Sequence, residues 1–241
     1  MLKFSDARNF ARTSTGLLLI AGPAILLLAS IISPNTDHDN KLKELATVAA
    51  HKGTYLWGGL LFLLATVLMM YAGFCLVRLF RGSRGVTLGQ VGGVLISLGA
   101  MVGAGWYAFG VVEYEMVNHT GLDRAALATF LHKADSTSTM IPLIIMFGVG
   151  IVIGTILVGV ASIRTRIVPV WAAVVIVIAG PAGFFSNGKA GGIISSVVLL
   201  VGFGALGLRA LQMTDEEWDQ PRERKAAPVA PEAPPVPAPA A

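Results

Sequence analysis

Hydrophobic positions in this chain do not alternate with polar ones; they run in long unbroken blocks separated by short polar stretches. Six blocks stand out, at residues 15–32, 54–79, 86–112, 140–162, 167–185 and 191–211. A helix crossing the hydrocarbon needs roughly 20 apolar residues, whereas a barrel strand alternates over about ten. The pattern therefore predicts an all-α fold, a polytopic membrane helix bundle. It divides the chain into an N-terminal segment at 1–14, a six-helix transmembrane domain at 15–211 and a tail at 212–241.

Composition agrees with the blocks. The chain is 54% hydrophobic and only 13% charged. Soluble domains carry about 25% charged residues, so lipid must supply much of the solvent. The formal charge of +4 is spread between the blocks rather than gathered in a patch, which points to orientation in a membrane and away from nucleic acid. With the N-terminus inside, 12 of the 18 Lys and Arg fall on the inner side, among them Lys3, Arg8, Arg12, Arg78, Arg164, Arg166 and Arg209. Lys41, Lys43, Lys52, Arg124, Lys133 and Lys189 fall outside. The expectation is a multi-pass protein of the cell inner (plasma) membrane with both termini cytoplasmic. The basic start resembles a signal peptide, but Ala29-Ser30-Ile31-Ile32 has no small-x-small cleavage pattern, and an uncleaved anchor is expected. Tyr55, Trp57, Trp106, Tyr107 and Tyr114 sit near the outer block ends, where interfacial aromatics belong.

The two long outer connections resemble each other. Residues 44–52 read ELATVAAHK and residues 126–133 read ALATFLHK, with the histidines at 51 and 132. This predicts two similar helix-pair units of the same orientation plus a C-terminal hairpin. Within each connection, Leu42, Leu45 and Ala49, and Leu127 and Leu131, share a helical face, which predicts short amphipathic helices lying on the membrane with Asp39 and Asp123 as caps. Six prolines at and beyond position 228 predict an extended, disordered Pro/Ala-rich tail.

Chemistry is sparse. The block centres carry no charge, which argues against a proton-coupled transporter. Glu113 and Glu115 lie near a block end, where they are expected to reach water. If the repeat holds, His51 and His132 occupy equivalent positions and are the candidate cofactor-binding pair, two imidazoles able to clamp a haem iron. Glu115, His119 and His132 are a candidate zinc or calcium set, without any HExxH motif. A His-Lys pair finishing an amphipathic helix also suits the helix dipole without binding anything, and the composition as a whole gives no cofactor. Cys75 stands alone, so no intrachain disulfide forms. Gly89/Gly93, Gly99/Gly103 and Gly150/Gly154 are small-xxx-small pairs expected to pack the third and fourth blocks together within the bundle, dimerisation being their other use. No phosphate loop, nucleophile elbow or nucleotide fingerprint is present, and nothing points to catalysis.

The opening GLLLIAGPAILLLASIISP, the ELATVAAHKGTYLWGGLLF junction, the RLFRGSRG turn and IVPVWAAVVIVIAGP resemble uncharacterised six-helix integral membrane proteins of high-GC bacteria. The resemblance implies a six-helix bundle and supplies no activity. Three functional readings follow from the sequence. The first is a non-enzymatic accessory, immunity or assembly component acting through contacts with a membrane-protein partner or a second copy. The second is a haem- or metal-binding redox protein using the outer histidines. The third is a transporter of an apolar small molecule or lipid.

Overall fold

The computed structural model describes residues 6–36, 40–80, 85–118, 123–135, 137–138, 140–186 and 188–219. Among them every regular element is a helix. In chain order these are α1 (Ala7–Ile32), α2 (Lys41–Ala50), α3 (Lys52–Leu79), α4 (Val86–Asn118), α5 (Arg124–Asp135) and α6 (Met140–Gly148). A π-helical turn (Val149–Ile153) joins α6 to α7 (Gly154–Thr165), and α8 (Val170–Phe185), α9 (Gly188–Gln212) and α10 (Asp215–Asp219) follow.

Five helical rods are long and apolar enough to cross a membrane: α1, α3, α4, the α6–α7 rod and α9. The block at 167–185 yields only the 16 residues of α8. At 1.5 Å per residue α8 spans about 24 Å, short of a hydrocarbon core of about 30 Å. Pro169 sets where it begins, standing as its N-cap. Pro23 and Pro181 lie inside α1 and α8, which continue through them.

Packing follows chain order and closes on itself. α1 packs on α3, α3 on α4, α4 on α7, α7 on α8, α8 on α9, and α9 returns to α1. Leu19, Leu76, Ile96, Val158, Ile176, Phe203 and Leu206 fill the middle. Because lipid tails are as apolar as the side chains, such rods associate through close contact and interhelical hydrogen bonds. The glycines supply the first. A Cβ on Gly150 would lie 2.7 Å from the Cα of Gly99, and one on Gly154 would lie 3.0 Å from the Gly92 carbonyl. Gly99 and Gly150/Gly154 thus join α4 to the α6–α7 rod, as the sequence predicts. Gly93 and Gly89 do otherwise: a Cβ on Gly93 would lie 2.6 Å from the Gly73 carbonyl of α3, and Gly89 faces the Phe80 ring. Ser97 Oγ donates to the Met70 carbonyl at 2.9 Å, and Ser30 and Ser196 share a buried hydrogen bond at 3.1 Å.

The ends of the bundle are tied separately. At one end Arg12 donates to the carbonyls of Leu211, at 2.9 Å, and of Met213, satisfying the end of α9. The packed chain continues there past residue 211, with Met213 and the Trp218 of α10 buried against the core. At the other end Asn35 Oδ1 accepts from the Lys189 amide at 3.2 Å, so the α1–α2 and α8–α9 junctions lie together.

α2 and α5 also sit at this second end, and here the structure corrects the sequence reading. Their apolar faces are packed on each other instead of being laid on a membrane: Leu45, Val48, Ala128 and Leu131 form a buried cluster with Val117 of α4. Leu42, expected on that face, is exposed. The α2 cap is Asn40, whose side chain accepts from the Lys43 amide at 3.2 Å; Asp39 lies outside the described residues. Asp123 does cap α5, accepting from the Ala125 amide at 3.1 Å.

Candidate functional site

Beneath the α2–α5 pair the bundle opens into a cavity of about 570 Å³. Its making is local. Gly99 and Gly150 bring α4 and the α6–α7 rod into backbone contact at the level of the π-helical turn. Above that contact α6 packs chiefly against α4 and the π turn, meeting α8 where Phe184 lies against Gly148 and Phe147, and most of its side chains face outward. A π turn inserts an extra residue into the ladder and shifts the face of everything beyond it. The gap that results is bounded by α3, α4 and α6, with the end of α1 and α2 at its mouth.

The cavity is graded from apolar to polar. Its deep part is lined by Phe62 of α3, Val102 and Gly103 of α4, and Phe147 of α6. The Phe62 and Tyr107 rings stack, 4.7 Å apart and within 5° of parallel. About one helical turn from Gly103 along α4, Gly99 is in backbone contact with Gly150. The upper part is lined by Tyr55, Tyr114, Glu113, Glu44 and Lys41. From Val102 to Tyr114 the lining runs along about 18 Å of α4. Gly59 and Gly110 keep the middle open: a Cβ on Gly59 would meet nothing within 4 Å, and one on Gly110 only the Tyr55 hydroxyl at 3.8 Å.

Two carboxylates stand at the polar end, and both are buried. Glu44 is 4% exposed and receives the Lys41 ammonium at 2.8 Å. Glu113 is 7% exposed. Its place near a block end predicts contact with water; the structure turns it inward. Gly103, Tyr107, Gly110, Glu113 and Val117 recur at helical spacing, so Glu113 lies on the inner stripe of α4. That stripe is the signal that locates it: an acid three residues after one inward glycine and four before an inward valine. Tyr55 lies close enough to Glu113 and Glu44 to feel both charges. Glu44 and the cavity aromatics are likewise hidden in the sequence, because a short connection and interfacial rings read as surface.

The residues singled out from sequence lie elsewhere. His51 closes α2, its amide donating to the Thr47 carbonyl at 2.9 Å, and opens α3, with an exposed side chain. His132 is exposed in the last turn of α5, and Glu115 is exposed on the outer side of α4. His119 lies outside the described residues. Among the described residues no three His, Cys, Asp or Glu side chains come close enough together to hold a metal ion.

No curated protein and no solved structure gives a match to this chain. A family model does: one described as a domain of unknown function, DUF4386, matches residues 14–210, from the first turns of α1 to the last of α9. The ring of helices and the cavity within it are therefore the matched part, and the chain belongs to the DUF4386 family.

Proposed function

We propose that this protein binds an apolar or amphiphilic small molecule, such as a lipid, in the cavity beneath α2 and α5. The cavity carries the reading. It is of ligand size, mostly apolar and aromatic, with a few convergent polar groups at one end, which is the usual make-up of a small-molecule site. Of the three readings the sequence allows, handling of an apolar molecule is the one this geometry favours. The close Gly99–Gly150 contact of α4 with the π turn favours holding the molecule over passing it through the bundle. The exposed positions of His51 and His132 lack the buried surroundings on which a haem clamp draws. An accessory role through partner contacts is compatible with a bound ligand, and the chain's part in it is non-enzymatic.

The setting we propose is the plasma membrane, with six spans, α8 being the short one, and both termini cytoplasmic. α1–α3 and α4–α7 are read as two similar units, each with an amphipathic helix inserted at the same end, and α8–α9 as the added hairpin. The meeting of α2 with α5 supports that symmetry. On this reading the cavity opens toward the outer leaflet.

The test is whether the protein carries such a molecule. Gly59→Leu and Gly110→Leu place a side chain in the open middle of the cavity. Mass spectrometry of extracts from protein purified in mild detergent is expected to show an apolar species at near-stoichiometric level in the natural protein, reduced severalfold in both variants. Identical extracts from all three would overturn the reading.

A further inference from the structure

One stripe of α4 shows where the bundle opens. Gly92, Gly99, Trp106 and Glu113 are spaced by seven residues and so lie along one side of the helix. A Cβ on Gly92 would lie 2.8 Å from the Gly154 carbonyl oxygen, and one on Gly99 would lie 3.1 Å from the Gly150 carbonyl carbon. At these two positions the α6–α7 rod is pressed against α4. At the third position the two part, and Trp106 is 51% exposed. At the fourth the stripe is covered again, because Glu113 is buried. The two rods run in opposite directions, with Gly103 of α4 facing the Phe147 ring of α6. One turn beyond that contact, Trp106 and Phe109 therefore stand level with Leu143 and Ile144. All four line the cavity, yet all are 40–51% exposed on the outside of the bundle. We infer, on the basis of the ligand-binding reading above, that the cavity takes a lipid with one unbranched tail, which enters from the bilayer through this gap between α4 and α6.

Route and size both point to such a molecule. The gap lies within two rods that are each long and apolar enough to cross a membrane. Its side chains touch the cavity on one side and the surroundings of the bundle on the other, so a tail passing between them never crosses water. Inside, Phe62, Val102, Phe147 and the stacked Tyr107 ring make an apolar seat, and the Tyr55 and Tyr114 phenols mark the polar end under α2 and α5. The tail therefore lies along α4 with its head toward that end. The lining there runs about 18 Å. A chain extends about 3.5 Å for every three bonds, so this length holds about 15 bonds, a ten-carbon tail with a small head. Volume gives the same answer. At about 30 Å³ per heavy atom, the share of a water molecule in its liquid, a cavity of about 570 Å³ holds about 19 heavy atoms. A glycerol carrying one ten-carbon acyl chain has about 17, and one carrying two such chains has about 28, so by this measure only the first fits.

The test has two arms. In the first, full-length protein in nanodiscs is titrated with radiolabelled monodecanoylglycerol and didecanoylglycerol, which share a head, with empty nanodiscs giving the partition background. Saturable binding of the one-tailed lipid, at least tenfold tighter than the two-tailed one, is the expected result. Equal saturable binding of the two would overturn the single tail while leaving the cavity as a ligand site. Absence of saturable binding by either would overturn the inference as a whole, and the extracts described above then decide the cavity reading separately. The second arm reads the route. In a Cys75→Ala background, Phe109→Cys and Leu143→Cys are bridged across the gap by a reducible bismaleimide, after loading with monodecanoylglycerol. Bridging is expected to slow release into excess acceptor vesicles at least tenfold, and reduction of the bridge to restore it. Release at the same rate with the bridge in place would overturn entry between α4 and α6. Trp106→Cys with Ile144→Cys is the second pair should the first fail to fold or to bridge, and the first arm needs no variant.

Discussion

Single glycines set the distances on which this bundle rests, and their substitution separates contact from conformational freedom. Gly150 is the sharper case. An added methyl would lie 2.7 Å from the Gly99 Cα and the Leu95 carbonyl, both backbone, so a helix must move to admit it. Gly150→Ala is expected to destabilise the protein by about 1–3 kcal/mol, the usual range for overpacking. Gly204 of α9 is the control: a Cβ there meets nothing within 4 Å. Gly204→Ala is expected to be neutral or stabilising by up to about 1 kcal/mol, because alanine loses less backbone entropy in a helix. Thermal unfolding in detergent, followed by tryptophan fluorescence, checks the pair; equal shifts of the two variants would remove the contact argument. The positions of these glycines were legible in the sequence, because small-xxx-small spacing is a local pattern. Which neighbour each one meets was not. Gly99 and Gly103 share a spacing with Gly89 and Gly93, but the second pair turns to α3 and Phe80, and only the packing of the ring decides that. Glu113 was misplaced for a related reason: proximity to a block end suggests water, whereas its register with Gly110 and Val117 puts it inside.

Among the elements, α2 and α5 changed most between sequence and structure. The amphipathic pattern identified both as helices, and the Asp123 cap was readable. An amphipathic face, however, has two ways to leave water, a lipid surface or another apolar face. Sequence periodicity does not choose between them. In the structure the faces of α2 and α5 cover each other, and Leu45 and Leu131, the second of which lines the cavity, are almost wholly buried there. If each helix depends on the other, loosening one should loosen both. Leu45→Ala is expected to weaken the docked pair by about 2–5 kcal/mol, as for other buried leucines. Hydrogen exchange read by mass spectrometry should then show faster exchange in α2 and α5 together, with α9 unchanged. Faster exchange in α2 alone would mean that α5 is held by something other than this contact, and the picture of the pair as one cover over the cavity would fail.

At the scale of the whole molecule, the closed ring makes orientation a question with one answer for every junction. Rods that pack in chain order, each on the next, alternate in direction, and an even number of crossings returns both termini to one side. The hydrophobic blocks made an all-helical membrane protein legible, since long apolar runs have few alternatives in a membrane. What they left open is α8, whose 16 residues fall short of the hydrocarbon thickness. The hydrogen bond from the Lys189 amide to Asn35 supports a full crossing, because it sets the α8–α9 junction beside the α1–α2 junction. A local thinning of the bilayer around a short span costs only fractions of a kcal/mol per Å. The natural chain has one cysteine, Cys75, so in a Cys75→Ala background Lys52→Cys, Thr137→Cys and Lys189→Cys report one end of the ring, and Gln212→Cys reports the other. On intact cells a membrane-impermeant thiol reagent is expected to label positions 52, 137 and 189 and to spare 212 until the membrane is opened. Labelling of 212 with protection of the other three would reverse the orientation and turn the cavity toward the cytoplasm. Labelling of 52 and 137 with protection of 189 would make α8 a segment that does not cross, and would leave α9 to run the other way.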